Sequence, residues 1–345
     1  MSDTSIEFYT RQAAEARGPE PQGPPKRKQK KLKRVLIASG TSLVLLVGAV
    51  VATGLFYANH LASSVKRINV TALTAKDQPA AAPGSMTILL TDTQVMPGQN
   101  TTTGLVELLH INPGDHRGAV ICIPANTWVK VPGHGKMELG QTLAIGGPSL
   151  MVETLERLTH VDINHYSAVD FAGLPSVVGA MHGVDVDVPY STISDGFRFP
   201  RGINDLNSAD VLAYVRQPGV SEIGREYLQG NLLRDILDKI ARDHFFRPSM
   251  ENVRVLDAVV HAVSVDSDLS NSQLTRLALS LGHLSGRDGT FVIAPIQKSS
   301  PGMGGTKPVH LALNISRKLW AAINNNSVAS FAVEYPGLVL TTRPG

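Results

Sequence analysis

The chain has 345 residues, 43% hydrophobic and 5% aromatic, with one cysteine and a formal charge of +3. The length allows two average domains or one large domain with appendages, and the apolar fraction excludes disorder throughout. A single cysteine excludes an intramolecular disulfide framework and a Cys-based zinc cluster.

The charge is not evenly spread. Residues 1–34 hold nine Lys/Arg and four Asp/Glu, a net of +5, which leaves −2 on the other 311 residues. A −2 remainder is not a basic nucleic-acid binder by composition, so no nucleic-acid partner is expected. Pro19, Pro21, Pro24 and Pro25 lie in the basic segment, which reads as a disordered tail.

Val35 to Ala58 is a run of 24 residues without a charge. About 20 helical residues cross a bilayer core, so the run reads as a transmembrane helix. A cleaved signal peptide competes, but its apolar region is shorter and nearer the N-terminus. Seven basic residues lie between Lys26 and Arg34, just before the span. The positive-inside rule then predicts a single-pass protein of the cell membrane. Residues 1–34 are expected in the cytosol and the C-terminal part outside.

Residues 59–84 read as a stem and linker, and a domain is expected over 85–325. MTILL (86–90), LVELLHI (105–111) and AVICIP (119–124) predict buried strands. Asn112-Pro113-Gly114-Asp115 predicts a turn joining the last two as a hairpin. The Gly-rich stretch 131–148 reads as a loop, with a helix starting at Pro148-Ser149. A strand at 165–171, a helix at 172–182 and an alternating strand at 184–189 follow. Asn207 is expected to cap a helix through Val215. Helices are predicted over 222–242, from about 251, over 272–284 and over 310–324, with a strand at 291–296. Residues 326–345 read as a tail. The mixture predicts an α/β (α+β mixed) domain, a central β-sheet flanked by helices behind one membrane span.

IPANTWVKVPGHGK (123–136), GGPSLMVETLERLTHVDINHYSAVDFAGL (146–174), HGVDVDVP (182–189), LNSADVLAYVR (206–216) and EIGREYLQGNLL (222–233) resemble the LytR-CpsA-Psr (LCP) family in order and spacing. The resemblance implies a protein of cell-wall biogenesis. Its members transfer glycopolymers from polyprenyl diphosphate carriers to peptidoglycan. The implied partners are a polyprenyl-diphosphate-linked glycan, peptidoglycan and the membrane, and the implied cofactor is Mg²⁺. Arginines suit such a site because they bind phosphate bidentately, and carboxylates hold a metal that bridges phosphates. The family's older association with transcription finds no helix-turn-helix pattern here.

The chain departs from the family pattern at several positions. The resemblance places Asp92 where a metal-binding carboxylate stands, but Gln94 replaces the following arginine. Thr102-Thr103-Gly104 replaces an Arg-x-Asp element, Pro124-Ala125-Asn126 replaces Pro-Arg-Asp, and Glu138 and Gly140 replace a Lys and an Asn. Arg216, Arg225 and Gln229 are kept, while Pro218 stands where a second arginine is frequent. The resemblance assigns Arg216 and Arg225 catalytic and substrate-binding roles, and Gln229 a substrate-binding one. Arg225 and Gln229 are four apart and share one helix face. Lys130, His134 and Lys136 are further cations without an assigned place. No G-x-S-x-G is present, and Cys122 reads as a buried thiol. Two functions remain open: a glycopolymer–peptidoglycan ligase with a divergent site, a phosphotransferase, or a non-catalytic member that binds the carrier or assists an active paralogue.

Overall fold

The computed structural model describes residues 62–74, 84–92, 104–112, 117–188, 190–217, 220, 222–243, 249–281, 289–297 and 308–339. The tail and the membrane span at 35–58 lie outside the described residues. Among the described residues no helix is long and apolar enough to cross a membrane.

A seven-stranded mixed sheet organises the domain, in the order β1-β12-β7-β2-β3-β4-β13. Its strands are β1 (Lys66–Ile68), β2 (Met86–Asp92), β3 (Val106–Asn112), β4 (Arg117–Cys122), β7 (His165–Val169), β12 (Val263–Asp266) and β13 (Gly289–Ile293). Strands β2, β3 and β4 form an antiparallel meander, as the turn at 113–115 predicts, and β7 lies parallel to β2. Nearly continuous apolar runs form these strands because both faces of the sheet are covered.

The period of two decides what each strand residue meets. On β3, Val106 and Leu108 face one apolar cluster with Leu89, Ile121 and Tyr166. Helices α1 (Gln141–Thr159), α7 (Leu313–Asn324) and α8 (Val328–Glu334) cover that face with Leu155, Leu319 and Phe331. Leu105 faces the other side, where a second cluster gathers Val177, Tyr214, Leu228, Leu232 and Val255. These come from α2 (Leu174–Ala180), α3 (Asp210–Val215), α4 (Glu222–Arg242) and α5 (Met250–Ala262). Helix α6 (Asn271–Leu281) follows β12. The small antiparallel pairs are β5 (Trp128–Val131) with β6 (Gly135–Glu138), β9 (Thr192–Ser194) with β10 (Phe197–Phe199), and β8 (Val184–Val188) with β11 (Gly202–Leu206).

Several expectations are refined. The stretch 131–148 is not a simple loop: it holds β6, and β5 ends in it. Helix α1 begins at Gln141, but Gly147 (φ 64, ψ −164) interrupts it, so a new segment does start at Pro148. Proline is tolerated there because the first residues of a helix lack an intrahelical N–H partner. Asn207 does not cap the helix through its side chain: the N-cap is Ala209, and Asn207 Oδ1 instead accepts the Ala209 N–H at 2.7 Å in a turn just before it.

The packed domain is wider than 85–325 at both ends. Val65, Val70 and Leu73 are buried, and β1 pairs with β12 across the sequence. Val328 and Phe331 of α8 are buried in the first cluster, and Val339 bridges to Val292. The chain also enters the sheet at a defined end. Lys66 pairs with Ser264, Ser264 with Ala168, and Ala168 with Thr91. The entry point therefore shares a row with Thr91, one residue before Asp92.

Asp266 ties that corner together. It is fully buried and accepts the N–H groups of Tyr166 (3.1 Å), Asp268 (2.9 Å) and Leu269 (2.9 Å), with His165 Nδ1 at 3.1 Å. Arg67 bonds the Leu269 carbonyl beside it and Asn271 Oδ1 at 2.6 Å. Burial raises the pKa of Asp266, but the bonds from His165, Tyr166 and Leu269 outweigh it and hold the carboxyl below its ordinary value. Asp266→Ala leaves several buried N–H groups without an acceptor. We expect a loss of about 3 kcal/mol or more in stability, measured by urea denaturation.

Candidate functional site

Three of the residues singled out from the sequence lie near one another at the end of β2. Asp92 closes β2 and is buried. Gly104 begins the approach to β3, and its N–H donates to Asp92 Oδ1 at 3.0 Å. Helix α4 crosses above this corner. A Cβ on Gly104 would lie 3.6 Å from Asp92 Oδ2, 3.8 Å from Gln229 Oε1 and 3.9 Å from Gln229 Nε2. Asp92 and Gln229 thus both lie within 4 Å of the Gly104 Cβ position. Gln229 is buried, and its Oε1 has no hydrogen-bond partner. A buried orphan acceptor costs about 1–3 kcal/mol, so it marks a place where a donor is welcome.

Arg216 lies at the C-terminal end of α3, exposed to solvent, with its N–H bonded to the Leu212 carbonyl. Arg225 belongs to α4, one turn before Gln229, and its side chain lies outside the described residues, as do Gln94, Thr102, Thr103 and Pro218. Lys130, His134 and Lys136 are exposed on the β5–β6 hairpin. Glu138 ends β6, and Gly140 donates its N–H to the Ala125 carbonyl at 2.7 Å.

Ala125 has a structural place of its own. It is 3% exposed and belongs to the apolar cluster under α1. Residue 125 here fills core space, and an arginine in the same backbone would set a charge among Val129, Leu139 and Leu155. Asn126 is buried beside it, and its carbonyl accepts the Val309 N–H at 3.0 Å.

A polar layer that sequence reasoning missed continues under α4. Glu107 stands opposite Cys122 in the β3–β4 register, and Cys122 Sγ donates to Glu107 Oε1 at 3.3 Å. A Cβ on Gly230 would come within 3.1 Å of Glu107 Oε1 and 3.6 Å of Cys122 Sγ. Farther along α4, Arg234 bonds Asp235 Oδ1 at 3.1 Å and lies 5.9 Å from the Phe291 ring centroid. Both residues are buried. The signal available was a glutamate inside the apolar run LVELLHI and the pair Arg234-Asp235 inside an otherwise core-facing helix.

The donor set is at the lower limit for Mg²⁺. That ion needs a nearly octahedral oxygen shell, built on one or two carboxylates when a phosphate shares it. Asp92 is one carboxylate with one oxygen already accepting a backbone N–H. Among the described residues no three His, Cys, Asp or Glu side chains gather.

The fold is a mixed α/β domain with a central sheet covered on both faces. Residues 54–286 match the LytR_cpsA_psr family, and the chain belongs to that family. It is 29% identical over 194 residues to the polyisoprenyl-teichoic acid–peptidoglycan teichoic acid transferase TagU of Enterococcus faecalis, covering 54% of this chain and 61% of that protein. It is 25% identical over 224 residues to the TagU of Bacillus licheniformis, covering 61% and 72%. The crystal structure of B. subtilis TagV superposes with a TM-score of 0.58 at 20% identity, over 70% of this chain and 97% of that one. A LytR-Csp2A-Psr enzyme from Actinomyces oris gives 0.58 at 20% identity, over 75% and 96%. At these identities the structures establish the fold.

Glu107 gives the site a pH signature. Burial pushes its pKa from 4.5 to about 7, against the weaker pull of the Cys122 hydrogen bond. The folded state therefore holds the proton more tightly than the unfolded chain. The stability this adds is complete below pH 4.5 and is lost as the pH rises toward 7. Glu107→Gln should remove that fall, which is worth roughly 3 kcal/mol. Urea denaturation between pH 4.5 and 8 checks it, and an unchanged slope contradicts it.

Proposed function

We propose that this chain is a single-pass protein of the cell membrane that acts outside it in cell-wall biogenesis. Its ligand is a polyprenyl-diphosphate-linked glycan, and peptidoglycan is the acceptor surface. The observation that carries this reading is the convergence of Asp92, Gly104 and Gln229 beneath α4, the helix that also bears Arg225. Arg225 and Gln229 lie one turn apart and suit a diphosphate: a guanidinium neutralises it and the carboxamide donates to it. Arg216 supplies a second, solvent-exposed cation. The name of the E. faecalis relative, a teichoic acid transferase acting from a polyisoprenyl carrier to peptidoglycan, supports the same substrate class. One solved relative, TagT, is described as bound to LI-WTA, which supports a ligand of that kind.

A second reading is favoured by Ala125 and Gly104. Residue 125 is absorbed into the core and residue 104 carries no side chain. On that reading the chain holds the carrier-linked glycan without turning it over, or assists an active paralogue. Removing one arginine that stabilises phosphoryl-transfer charge costs on the order of 10³–10⁵ in rate, so altered positions weigh on turnover more than on binding.

The test uses the full chain in detergent with an undecaprenyl-diphosphate-linked disaccharide. We expect saturable binding that Arg225→Ala and Gln229→Ala each weaken about tenfold, the loss of one charge-assisted hydrogen bond. Absence of binding overturns the carrier reading. With a peptidoglycan glycan strand added as acceptor, transfer of the glycosyl phosphate to its hydroxyl with release of undecaprenyl monophosphate, lost in Arg225→Ala, selects the ligase; binding without release selects the second reading.

A further inference from the structure

The same corner carries one more conclusion. We propose that the ligand site of this chain works without a resident divalent cation: residue 104, beside Asp92, is a glycine and adds no second carboxylate. The proposal deepens the reading above, on which it rests only for the identity of the anionic ligand.

The argument begins with the supply of carboxylates. The eleven residues that join Asp92 to Gly104 contain neither Asp nor Glu. Position 125–126 at the end of β4 offers Ala125 and Asn126, neither of them anionic. Asp170, just past the end of β7, follows Val169, whose side chain shares the cluster of Leu90 and Leu105. By strand alternation Asp170 points to the opposite face, and its Oδ1 accepts the Ala172 N–H at 2.9 Å. Asp92 and Glu107 are thus the carboxylates that this face of the sheet end offers among the described residues, and Glu107 is turned under Gly230, where it accepts from Cys122 Sγ.

Asp92 is also committed elsewhere. Its Oδ1 accepts the Gly104 N–H, which fixes the carboxylate against the start of β3. The other side chain near the Gly104 Cβ position is the neutral amide of Gln229. One anchored carboxylate and one neutral amide leave Mg²⁺ or Mn²⁺ to keep most of its water shell, which gives weak affinity.

Gly104 shows how little separates this arrangement from a cation site. Among the described residues, its chain neighbours aside, no atom lies closer than 3.6 Å to its Cβ position, and its φ is outside the left-handed region, so the backbone accepts an L side chain. An aspartate there would point between Asp92 and Gln229. Two adjacent carboxylates repel and hold one proton until a cation joins them. The wild-type glycine avoids that repulsion, and neutralisation of the ligand's phosphates then falls to Arg225 and Arg216.

The test is a Mn²⁺ titration of the full chain in detergent, followed by the electron paramagnetic resonance signal of free aqueous Mn²⁺, with no lipid or glycan present. Wild type should retain no Mn²⁺ up to about 1 mM. Gly104→Asp should bind at least about tenfold more tightly, lose that gain in the double variant with Asp92→Asn, and rise in Tm when Mn²⁺ is added. The proposal is overturned if wild type retains Mn²⁺ that Asp92→Asn releases, or if Gly104→Asp, folded by circular dichroism, gains none. Because the titration contains no carrier, failure of the carrier reading leaves its outcome unchanged.

Discussion

Helix α4 approaches the sheet at Gly230, where the position of a missing Cβ lies 3.1 Å from Glu107. That close approach sets everything at the site end. It lowers the helix far enough for Gln229, one residue earlier, to reach Asp92 and Gly104. It also buries Glu107 and Cys122, and burial pushes the carboxyl pKa up to about 7. A larger residue at 230 would either displace Glu107 or lift the helix, and lifting it would separate the two halves of the site. The site is therefore a property of helix–sheet packing rather than of a loop, which suits groups that must hold position.

The polar layer under α4 has a cost. Glu107, Arg234 and Asp235 are all buried, and buried ionic groups are poor sources of stability compared with apolar replacements. Arg234 recovers part of it by bonding Asp235 and lying over Phe291. Glu107 recovers part by staying protonated. Asp266 solves the same problem in the opposite way at the other side of the sheet. There a set of backbone N–H groups stabilises the charged form, and the stem strand β1 is fastened through Arg67. Burial holds the Glu107 carboxyl toward its neutral form, while hydrogen bonds and the nearby His165 hold that of Asp266 toward its charged form.

Much of this was legible in the sequence. The apolar runs at 86–90, 105–111 and 119–124 and the turn after Asn112 give the central meander directly, and the 222–242 periodicity gives α4. The spacing of Arg225 and Gln229 places both on one helix. What stayed hidden depends on distant partners. Strand β1 is three residues long and gains its partner across nearly 200 residues of chain, so Lys66–Ile68 carries no periodic signal. The β5–β6 hairpin is built of four-residue strands inside a Gly-rich stretch. Helix α8 reads as a tail because its apolar face matters only where Val292 and the first cluster receive it. Ala125 is the sharpest case: the sequence shows only a missing arginine, while packing shows that the position belongs to the core.

The central claim is that the end of the sheet under α4 receives a diphosphate through arginine and amide groups, without a bridging metal. A crystal structure of the chain grown with farnesyl diphosphate and Mn²⁺, with anomalous scattering recorded for manganese, tests it most directly. The account predicts diphosphate oxygens within hydrogen-bond reach of Gln229 and Arg225 and no anomalous peak at Asp92. A manganese peak bound to Asp92, or a diphosphate lodged away from α4, would contradict it.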